Sequence, residues 1–196
     1  MDKILQTIPD KQLEWKDTTS RLWKKDVYEF FKDKELNNCL EIGTNHGWTA
    51  LWCSHIFNHV YTIEWDLNRC NSAKKHCKDR TNITFINDDA YSDKTYSQLP
   101  TDIDVIVIDC IHTYDAVIDD INRALGYYNG KKIYIVFDDY GHPESTGVHD
   151  AIKEAIRMGL TVETYAGQPA GYIVHRPNDT QFQLIHQEGI ILSYGE

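Results

Sequence analysis

The sequence predicts an α/β protein with a doubly wound, Rossmann-like and mostly parallel sheet, helices on both faces and an antiparallel C-terminal edge. Short apolar runs recur along the chain, and stretches with helical periodicity separate them. A further set of short strand-like runs follows near the C-terminus. Because parallel strands need a crossover connection, the alternation favours a parallel sheet with helices packed against it.

The first element is an amphipathic helix predicted over residues 17–36, because Trp23, Val27 and Phe31 recur at the spacing of one helix face. The same N-terminal extension also carries Trp15. An aromatic helix of this kind either closes over a binding site as a lid or packs on the sheet or on another subunit. The sequence leaves both options open.

The middle of the chain alternates between predicted strands and predicted helices. The strands are predicted at residues 39–42, 59–63, 83–86, 103–108 and 133–137. The helices are predicted at residues 47–57, 66–79, 91–98, 113–127 and 146–158. Three later strands are predicted at residues 160–165, 171–175 and 181–186. The last two flank a turn at 177–179, and we expect them to form the mixed edge of the sheet.

The chain is predicted to form one domain, residues 1–196, because no repeat, low-complexity segment or linker interrupts it. It would consist of a helical extension or lid (1–36), a core (37–158) and C-terminal strands (159–196). No apolar stretch approaches the roughly 20 residues needed to span a bilayer, and the N-terminus lacks the layout of a signal peptide. We therefore expect a cytoplasmic protein without a membrane partner.

The charge balance is acidic, with 30 Asp and Glu residues against 20 Lys and Arg and a formal net charge of −10. Binding to nucleic acid depends on the number of phosphates that Lys and Arg neutralise, so nucleic acid is not expected as a partner. The five cysteines lack C-x-x-C spacing. This arrangement is typical of reduced thiols rather than of a zinc site or a disulfide framework.

The residues that follow the first three predicted strands are candidates for ligand binding, because open α/β sheets bind ligands beyond the carboxyl ends of their strands. Gly43 and Gly47 permit close backbone approach to a ligand, although a plain turn is an equal alternative. Glu64 lies 21 positions after Gly43, where an acidic side chain can accept hydrogen bonds from ribose hydroxyls or cap a helix. Asp89 could meet an adenine amine or lie in a solvated turn.

The fourth and fifth predicted strands end in carboxylates, Asp109 after one and Asp138 and Asp139 after the other. Three carboxylates in one cleft repel one another unless they share a cation, and Mg²⁺ prefers oxygen ligands. Alternatively, some of them cap the following helices. His112 could act as a general base in the same mouth, and His142 is a second candidate.

These motifs, taken together, resemble the class I S-adenosylmethionine-dependent methyltransferases, in particular the small metal-dependent O-methyltransferases related to the macrocin and sugar O-methyltransferases. The resemblance covers residues 37–158. It is carried by Glu41-x-Gly43-x-x-x-Gly47, Glu64, Asp89-Ala90, Ile108-Asp109-x-x-His112-x-Tyr114, Phe137-Asp138-Asp139-Tyr140-Gly141 and Gly147-Val148-x-x-Ala151.

The resemblance implies a role for each matching residue. The implied cofactor-binding residues are Glu41, Gly43, Thr44, Gly47, Glu64, Asp89, Ala90 and Asp109. The implied metal ligands are Asp109, Asp138 and Asp139. Some relatives carry a second Asp as the base where this chain has Ile111, so His112 and Asp109 are the candidate catalytic residues.

The resemblance implies an S-adenosylmethionine-dependent, Mg²⁺-dependent O-methyltransferase that acts on a hydroxyl of a small or sugar-like metabolite. It is compatible with a homodimer. Ile111 keeps open a cofactor-binding or interaction protein without transferase activity. A hydroxylase-like metal enzyme would use His112 with the aspartates and would require a second histidine, for which His142 is well placed. A nicotinamide dehydrogenase is disfavoured because the G-x-G-x-x-G spacing is missing.

Overall fold

The computed structural model describes residues 2–6, 8, 19–175 and 181–196. The strands in these residues are β1 (Asn38–Ile42), β2 (His59–Ile63), β3 (Ile83–Ile86), β4 (Val105–Ile108), β5 (Ile133–Phe137), β6 (Thr161–Ala166), β7 (Ile173–His175), β8 (Gln181–Gln183) and β9 (Gly189–Tyr194). The helices are α1 (Asp2–Leu5), α2 (Arg21–Phe31), α3 (Trp48–Cys53), α4 (Leu67–His76), α5 (Asp93–Tyr96), α6 (Tyr114–Leu125) and α7 (Thr146–Arg157).

Seven strands form one sheet in the order β3-β2-β1-β4-β5-β9-β6. The first five in this order run parallel to one another, and β9 runs antiparallel to both β5 and β6. The predicted doubly wound fold with an antiparallel strand near its C-terminal edge is therefore confirmed. Chain order reverses between β1 and β4, so the carboxyl ends of these two strands flank the crevice in which such sheets bind ligands.

The C-terminal strands differ in detail from the prediction. The strands predicted at 171–175 and 181–186 pair with each other as β7 and β8 in a separate two-stranded sheet. The antiparallel strand of the main sheet is β9, which the sequence analysis did not identify. The predicted turn at 177–179, Trp15 and the predicted helix start at residues 17–18 lie outside the described residues.

Both faces of the sheet are covered, because side chains alternate between the faces along each strand. In β1, Leu40 and Ile42 belong to one buried cluster, whereas Cys39 belongs to the cluster on the opposite side. Burial of each large aliphatic side chain contributes about 1.5–3 kcal/mol to folding. Within the described ranges, no helix has both the length and the apolar composition required to cross a membrane.

Helix α2 packs on the sheet, which supports the second of the two options for the N-terminal extension. Ser20 caps the helix, and its Oγ accepts a hydrogen bond from the Trp23 backbone N–H at 3.1 Å. Trp23 is fully buried, and its indole N–H donates to the Phe137 carbonyl at 3.4 Å. Phe31 contacts Tyr134 edge-on with 5.5 Å between ring centroids. Helix α2 therefore contacts β5 near both ends of the strand, through Tyr134 and Phe137.

Candidate active site

The loop after β1 lies against the end of β4 because residue 43 is glycine. Gly43 has a φ of +99°, and a Cβ added there would lie 1.9 Å from the Asp109 carbonyl oxygen. The Gly43 and Thr44 backbone N–H groups both donate to the Ile63 carbonyl, at 3.2 and 3.1 Å. The loop is thus held between the carboxyl ends of β2 and β4, where a side chain would not fit.

A cleft of about 620 Å³ opens at this edge of the sheet, a size that suits a small-molecule ligand. Its lining residues are Gly43, Asn45, Ile63, Glu64, Trp65, Arg69, Asp89, Ala90, Tyr91, Asp109, Cys110, Ile111 and His112. The structure therefore brings together predicted residues from the ends of β1, β2, β3 and β4. We refer to Gly43, Glu64 and Asp89 as the glycine-loop end of the cleft.

Glu64 is held in place by the backbone. Its Oε2 accepts from the Asn45 N–H at 2.8 Å, and its Oε1 accepts from the Asp66 N–H at 3.0 Å. Its side chain is almost fully buried, yet it lines the cleft. Helix capping, the alternative role for Glu64, belongs to Asp66, whose Oδ1 accepts from the Arg69 N–H at 2.9 Å. Each Glu64 oxygen keeps a further lone pair for a hydroxyl donor in the cleft.

Asp89 and Ala90 also line the cleft, as predicted, beside Tyr91. The Asp89 Oδ1 accepts from the Tyr91 N–H at 2.9 Å, and the Asp89 carbonyl accepts from the Thr95 hydroxyl at 2.7 Å. These bonds fix the turn after β3 in one conformation. The Asp89 side chain is thereby presented at a defined position on the cleft wall.

Three of the predicted cofactor residues lie beneath the loop instead of in the cleft lining. Glu41 is completely buried, accepts a hydrogen bond from the Thr62 hydroxyl, and has its pKa raised well above the usual range by burial. The Thr44 hydroxyl lies 2.5 Å from that of Thr62. Gly47 has a φ of +80°, and a Cβ there would approach Ala73 to 2.7 Å. These three residues therefore support the conformation of the loop after β1 and do not line the cleft.

Asp109, His112 and Asp139 converge in one group, and the first two of them line the cleft. One ligand atom from each residue lies within 4.8 Å of the other two. The His112 Nε2 lies 2.8 Å from an Asp139 oxygen and 3.8 Å from an Asp109 oxygen, but at angles that give it no hydrogen bond. Burial lowers the pKa of His112, and the two adjoining carboxylates outweigh that effect and raise it to about 11.

Asp138, the third predicted metal ligand, is not one of the three residues whose ligand atoms converge within 4.8 Å, although the charges of Asp109 and Asp139 act on it. Its Oδ1 is buried and has no hydrogen-bond partner among the residues that the structure describes. Burial, followed by the negative charges of Asp109 and Asp139, raises the pKa of Asp138 well above its usual range. Burial likewise raises the pKa of Asp109. We refer to Asp109, His112, Asp138 and Asp139 as the acidic cluster.

The acidic cluster has the donors that a hard divalent cation requires. Its oxygens are crowded, one of them is buried without a partner, and the one nearby imidazole is in contact with the carboxylates without an aligned hydrogen bond. A shared cation would offset the repulsion and satisfy these atoms. His142 lies apart from the group, because its ring packs on Phe182 at 4.4 Å between centroids and its Nδ1 accepts from the Glu144 N–H.

A buried lysine lies behind the acidic cluster, a feature that the sequence analysis missed. Lys24 is completely buried, and its Nζ donates to the Thr19 carbonyl at 2.6 Å. Burial lowers the pKa of Lys24 to about 7, against the opposing charges of Glu188 and Asp138. Glu188 in turn accepts from the Ser20 and Gln168 N–H groups, both at 2.8 Å. These contacts join the start of α2 to the loop before β7.

Other cleft residues were also missed, although the signal was in the sequence. Five of them are direct neighbours of predicted residues in the same strand-end loops, namely Asn45, Trp65, Tyr91, Cys110 and Ile111, and the sixth, Arg69, lies in the first turn of α4. A rule that takes every residue of those loops as a candidate would have found the first five. Trp65 is the most exposed large apolar residue at the cleft, with 74% of its surface accessible.

Comparisons with known proteins agree on the fold. A family model described as a methyltransferase domain matches residues 40–140. The structure is similar to an O-methyltransferase from Bacillus cereus in complex with SAH, with a TM-score of 0.67 and 16% identity, covering 100% of this chain and 90% of that one. It is similar to the O-methyltransferase TomG from Streptomyces achromogenes, in complex with SAM, with a TM-score of 0.66 and 16% identity over 99% and 88% of the two chains.

The same fold is found in proteins with other names. An Aeropyrum pernix fibrillarin with natively bound S-adenosyl-L-methionine has a TM-score of 0.55 and 16% identity, covering 92% of this chain and 83% of that one. No curated protein sequence matches the chain at a significant level. At these identities the structural likeness shows the fold, and the family match extends over the strands that form the cleft.

Proposed function

The chain belongs to the methyltransferase domain family, and from this premise we propose that it is an Mg²⁺-dependent O-methyltransferase. The family match confirms the prediction, made from the motifs, of a class I S-adenosylmethionine-dependent methyltransferase. The observation that carries the proposal is that Glu64 lines the same cleft as Asp109 and His112, and that Asp139 lies within ligand distance of the latter two. Glu64 would hold the cofactor, and the acidic cluster would hold the cation and the acceptor hydroxyl.

The glycine-loop end fits the nucleoside part of S-adenosylmethionine. The Glu64 oxygens, each already fixed by one backbone N–H, would accept hydrogen bonds from the two ribose hydroxyls. Asp89 and Ala90 would lie beside the adenine. The printed descriptions of the similar structures from Bacillus cereus, Streptomyces achromogenes and Aeropyrum pernix name SAH or SAM as the bound molecule, which supports the same assignment for this cleft.

The acidic cluster fits the metal and the base. Asp109 and Asp139, with Asp138 beside them, would hold Mg²⁺, which when bound would lower the pKa of an acceptor hydroxyl and fix its direction. Offsetting the charge of these carboxylates also lowers the pKa of His112 from about 11, so that its imidazole becomes able to take a proton. His112 is therefore our candidate base, with Asp109 as the alternative.

The reaction is an in-line displacement. The acceptor oxygen forms a bond to the methyl carbon while the bond from that carbon to the sulfonium sulfur breaks, and the hydroxyl proton passes to the base. The products are the methyl ether and S-adenosylhomocysteine. Because the methyl group is already activated, the contribution of the protein is to bring donor and acceptor into line within one dry cleft.

We propose a small or sugar-like metabolite as the acceptor. The chain has a net charge of −10, which disfavours a long anionic partner. Ile111 and Tyr114, both more than 40% exposed, lie on either side of His112 in the chain and would give the acceptor an apolar rim. All five cysteines are unpaired thiols, which fits a reducing compartment such as the cytoplasm.

A cofactor-binding protein without transferase activity is the second candidate. Ile111 favours it, because this side chain at the cleft cannot accept a proton. The two candidates differ in one measurable property, since both bind S-adenosylmethionine and only the enzyme produces S-adenosylhomocysteine in the presence of an acceptor.

The test is a calorimetric titration of S-adenosylmethionine into the protein with Mg²⁺, followed by transfer of labelled methyl groups to a panel of phenols, sugars and glycosides. We expect micromolar binding and label in at least one hydroxyl compound. Binding without transfer to any member of the panel would favour the second candidate. Absence of binding by folded protein would contradict the assignment of Glu64 and the glycine loop.

A further inference from the structure

A second buried carboxyl group, Asp120 on α6, lies outside the acidic cluster. Its side chain is 0% exposed, and neither of its oxygens has a hydrogen-bond partner within the described part of the chain. An unpaired carboxyl group at zero exposure costs free energy, so its retention needs an explanation. The proposed mechanism does not use this residue.

The groups that face Asp120 come from two other elements. The hydroxyl oxygens of Tyr91 and Tyr96, before and within α5, are also buried without hydrogen-bond partners. The thiol of Cys110 follows β4. A negative charge on Asp120 acts on all three, since it contributes to the raised pKa of each. Two oxygens of Asp120 and two tyrosine hydroxyls are thus buried without partners among the described residues, and Arg123, one turn after Asp120 on α6, lies 4.8 Å from the Tyr96 ring centroid.

The charged neighbours of Asp120 on α6 form their ion pairs and hydrogen bonds with other residues. The Arg123 Nε lies 2.8 Å from Asp119, and its Nη1 lies 3.1 Å from Asp93. Its Nη2 donates to the Tyr91 carbonyl at 2.9 Å. Burial and then the charge of Asp119 raise the pKa of Asp120 to about 7, although Arg123 and the Tyr91 hydroxyl oppose this shift.

Tyr91 connects this region to the cleft. Tyr91 and Cys110 both line the cleft, next to Ala90 and Asp109. The backbone of Tyr91 is fixed on both sides, by Asp89 at its N–H and by Arg123 at its carbonyl. These backbone hydrogen bonds do not fix the position of its phenol ring. Arg123, one turn after Asp120 on α6, donates to the Tyr91 carbonyl, and the charge of Asp120 acts on the Tyr91 hydroxyl.

We propose that Asp120 is a positioning residue, which holds the phenol of Tyr91 from behind and so shapes the wall of the cleft against which the cofactor binds. The inference rests on the proposed cofactor assignment. A protonated carboxyl group can both donate to and accept from the phenol, which allows it to satisfy the buried hydroxyl without a counter-ion. An ionised carboxylate in the same place would draw in water and displace the ring.

The test compares S-adenosylhomocysteine affinity, measured by calorimetry, in Asp120→Leu, Tyr91→Phe and the double variant. We expect each single variant to lose roughly tenfold in affinity, the size of one buried hydrogen bond, and the double variant to lose no more than either one. Asp120→Asn, which keeps a donor and an acceptor, should restore affinity to within about threefold of wild type. Asp79→Asn, an exposed carboxylate outside the cleft, is the matched control.

A second readout uses pH and does not depend on whether Asp120→Leu folds. Wild-type affinity should fall as the pH rises from 6 to 8, and the affinity of Asp120→Asn should fall less over the same range. Losses that add in the double variant, or the same pH dependence in wild type and Asp120→Asn, would overturn the inference. Wild-type protein that is folded and binds no S-adenosylhomocysteine would overturn the cofactor assignment itself, a result distinct from either of these.

Discussion

The glycine-loop end of the cleft and the acidic cluster differ in how their polar groups are satisfied. At the glycine-loop end, both oxygens of Glu64 accept backbone N–H groups, so the chain itself completes the carboxylate environment. In the acidic cluster, Asp138 keeps a buried oxygen without a partner, and the His112 Nε2 has no aligned hydrogen bond despite lying 2.8 Å from Asp139. The Glu64 carboxylate thus has its hydrogen-bond partners, whereas polar atoms of the acidic cluster are left unpaired among the described residues.

This difference indicates that the two ends are built for different ligands. A preorganised acceptor is suited to a neutral ligand that brings hydroxyl donors, because nothing in the protein must rearrange. A crowded set of carboxylates with raised pKa values is suited to a cation, which removes their mutual repulsion. The account therefore predicts that changes at one end leave the function of the other largely intact.

The largest expected effect comes from the acidic cluster. The double variant Asp138→Ala/Asp139→Ala should lose Mg²⁺-dependent methyl transfer by about 10²–10³-fold, because the cation's contribution of several kcal/mol disappears. Its S-adenosylhomocysteine affinity should stay within about threefold of wild type, as no cofactor contact is removed. Steady-state kinetics and calorimetry measure the two quantities, with Asp79→Asn as control. Normal turnover by the double variant would refute the metal assignment.

Gly43→Ala is expected to impair both the glycine-loop end of the cleft and the acidic cluster. Its new Cβ would collide with the Asp109 carbonyl at a φ of +99°, so the variant should lose at least about 2 kcal/mol of unfolding free energy and bind both ligands poorly. Gly159→Ala is the matched control, because its φ of +103° is similar but nothing lies within 4 Å of the added Cβ. Equal stability losses in a denaturant titration of both variants would contradict the packing argument.

Glu64→Gln tests the glycine-loop end. The amide would place an N–H₂ group against one of the two backbone N–H donors and would remove the charge, so S-adenosylhomocysteine affinity should fall about tenfold. Mg²⁺ affinity should not change. Asp66→Asn is a matched control, since asparagine caps a helix as well as aspartate. If Glu64→Gln weakened Mg²⁺ instead of the cofactor, the roles given to the two ends would be reversed.

The smallest expected effect is in proton release. Because the adjoining carboxylates raise the pKa of His112 to about 11, its imidazole retains a proton at neutral pH, and a cation bound to those carboxylates would lower that pKa. Mg²⁺ affinity should therefore increase with pH, with release of about one proton per ion near pH 7. Calorimetry in buffers of different ionisation enthalpy measures this release. Mg²⁺ binding that is independent of pH would show that the ion does not bind the carboxylates beside His112.

Most of the fold could be predicted from the sequence, because most of the strands are marked by local patterns of apolar and polar residues. The strands β1 to β5 are apolar runs bounded by polar residues, and each lies within two residues of its predicted position. The strand β9 has an apolar run of the same kind, and what local spacing does not show is its pairing with β5 and β6, which are distant in sequence. The pairing of β7 with β8 likewise depends on where the hairpin can dock, which periodicity does not show.

The candidate site was predictable where it follows strand ends. Gly43, Glu64, Asp89 and Asp109 all line the cleft because the carboxyl ends of parallel strands meet at one edge. Lys24, Asp120 and Glu188 escaped prediction, because a charged residue on a helix or at a loop end is normally solvated. Their burial results from tertiary packing, which brings α2 and α6 against the sheet and cannot be read from local spacing.

The measurement that tests the central claim most directly is a Mn²⁺ titration followed by electron paramagnetic resonance, with and without S-adenosylhomocysteine. The account predicts one Mn²⁺ site per chain in the wild type and none in Asp138→Ala/Asp139→Ala, which should still bind S-adenosylhomocysteine. Folded wild-type protein that binds S-adenosylhomocysteine but leaves all Mn²⁺ free would contradict the claim that a cation completes the acidic cluster.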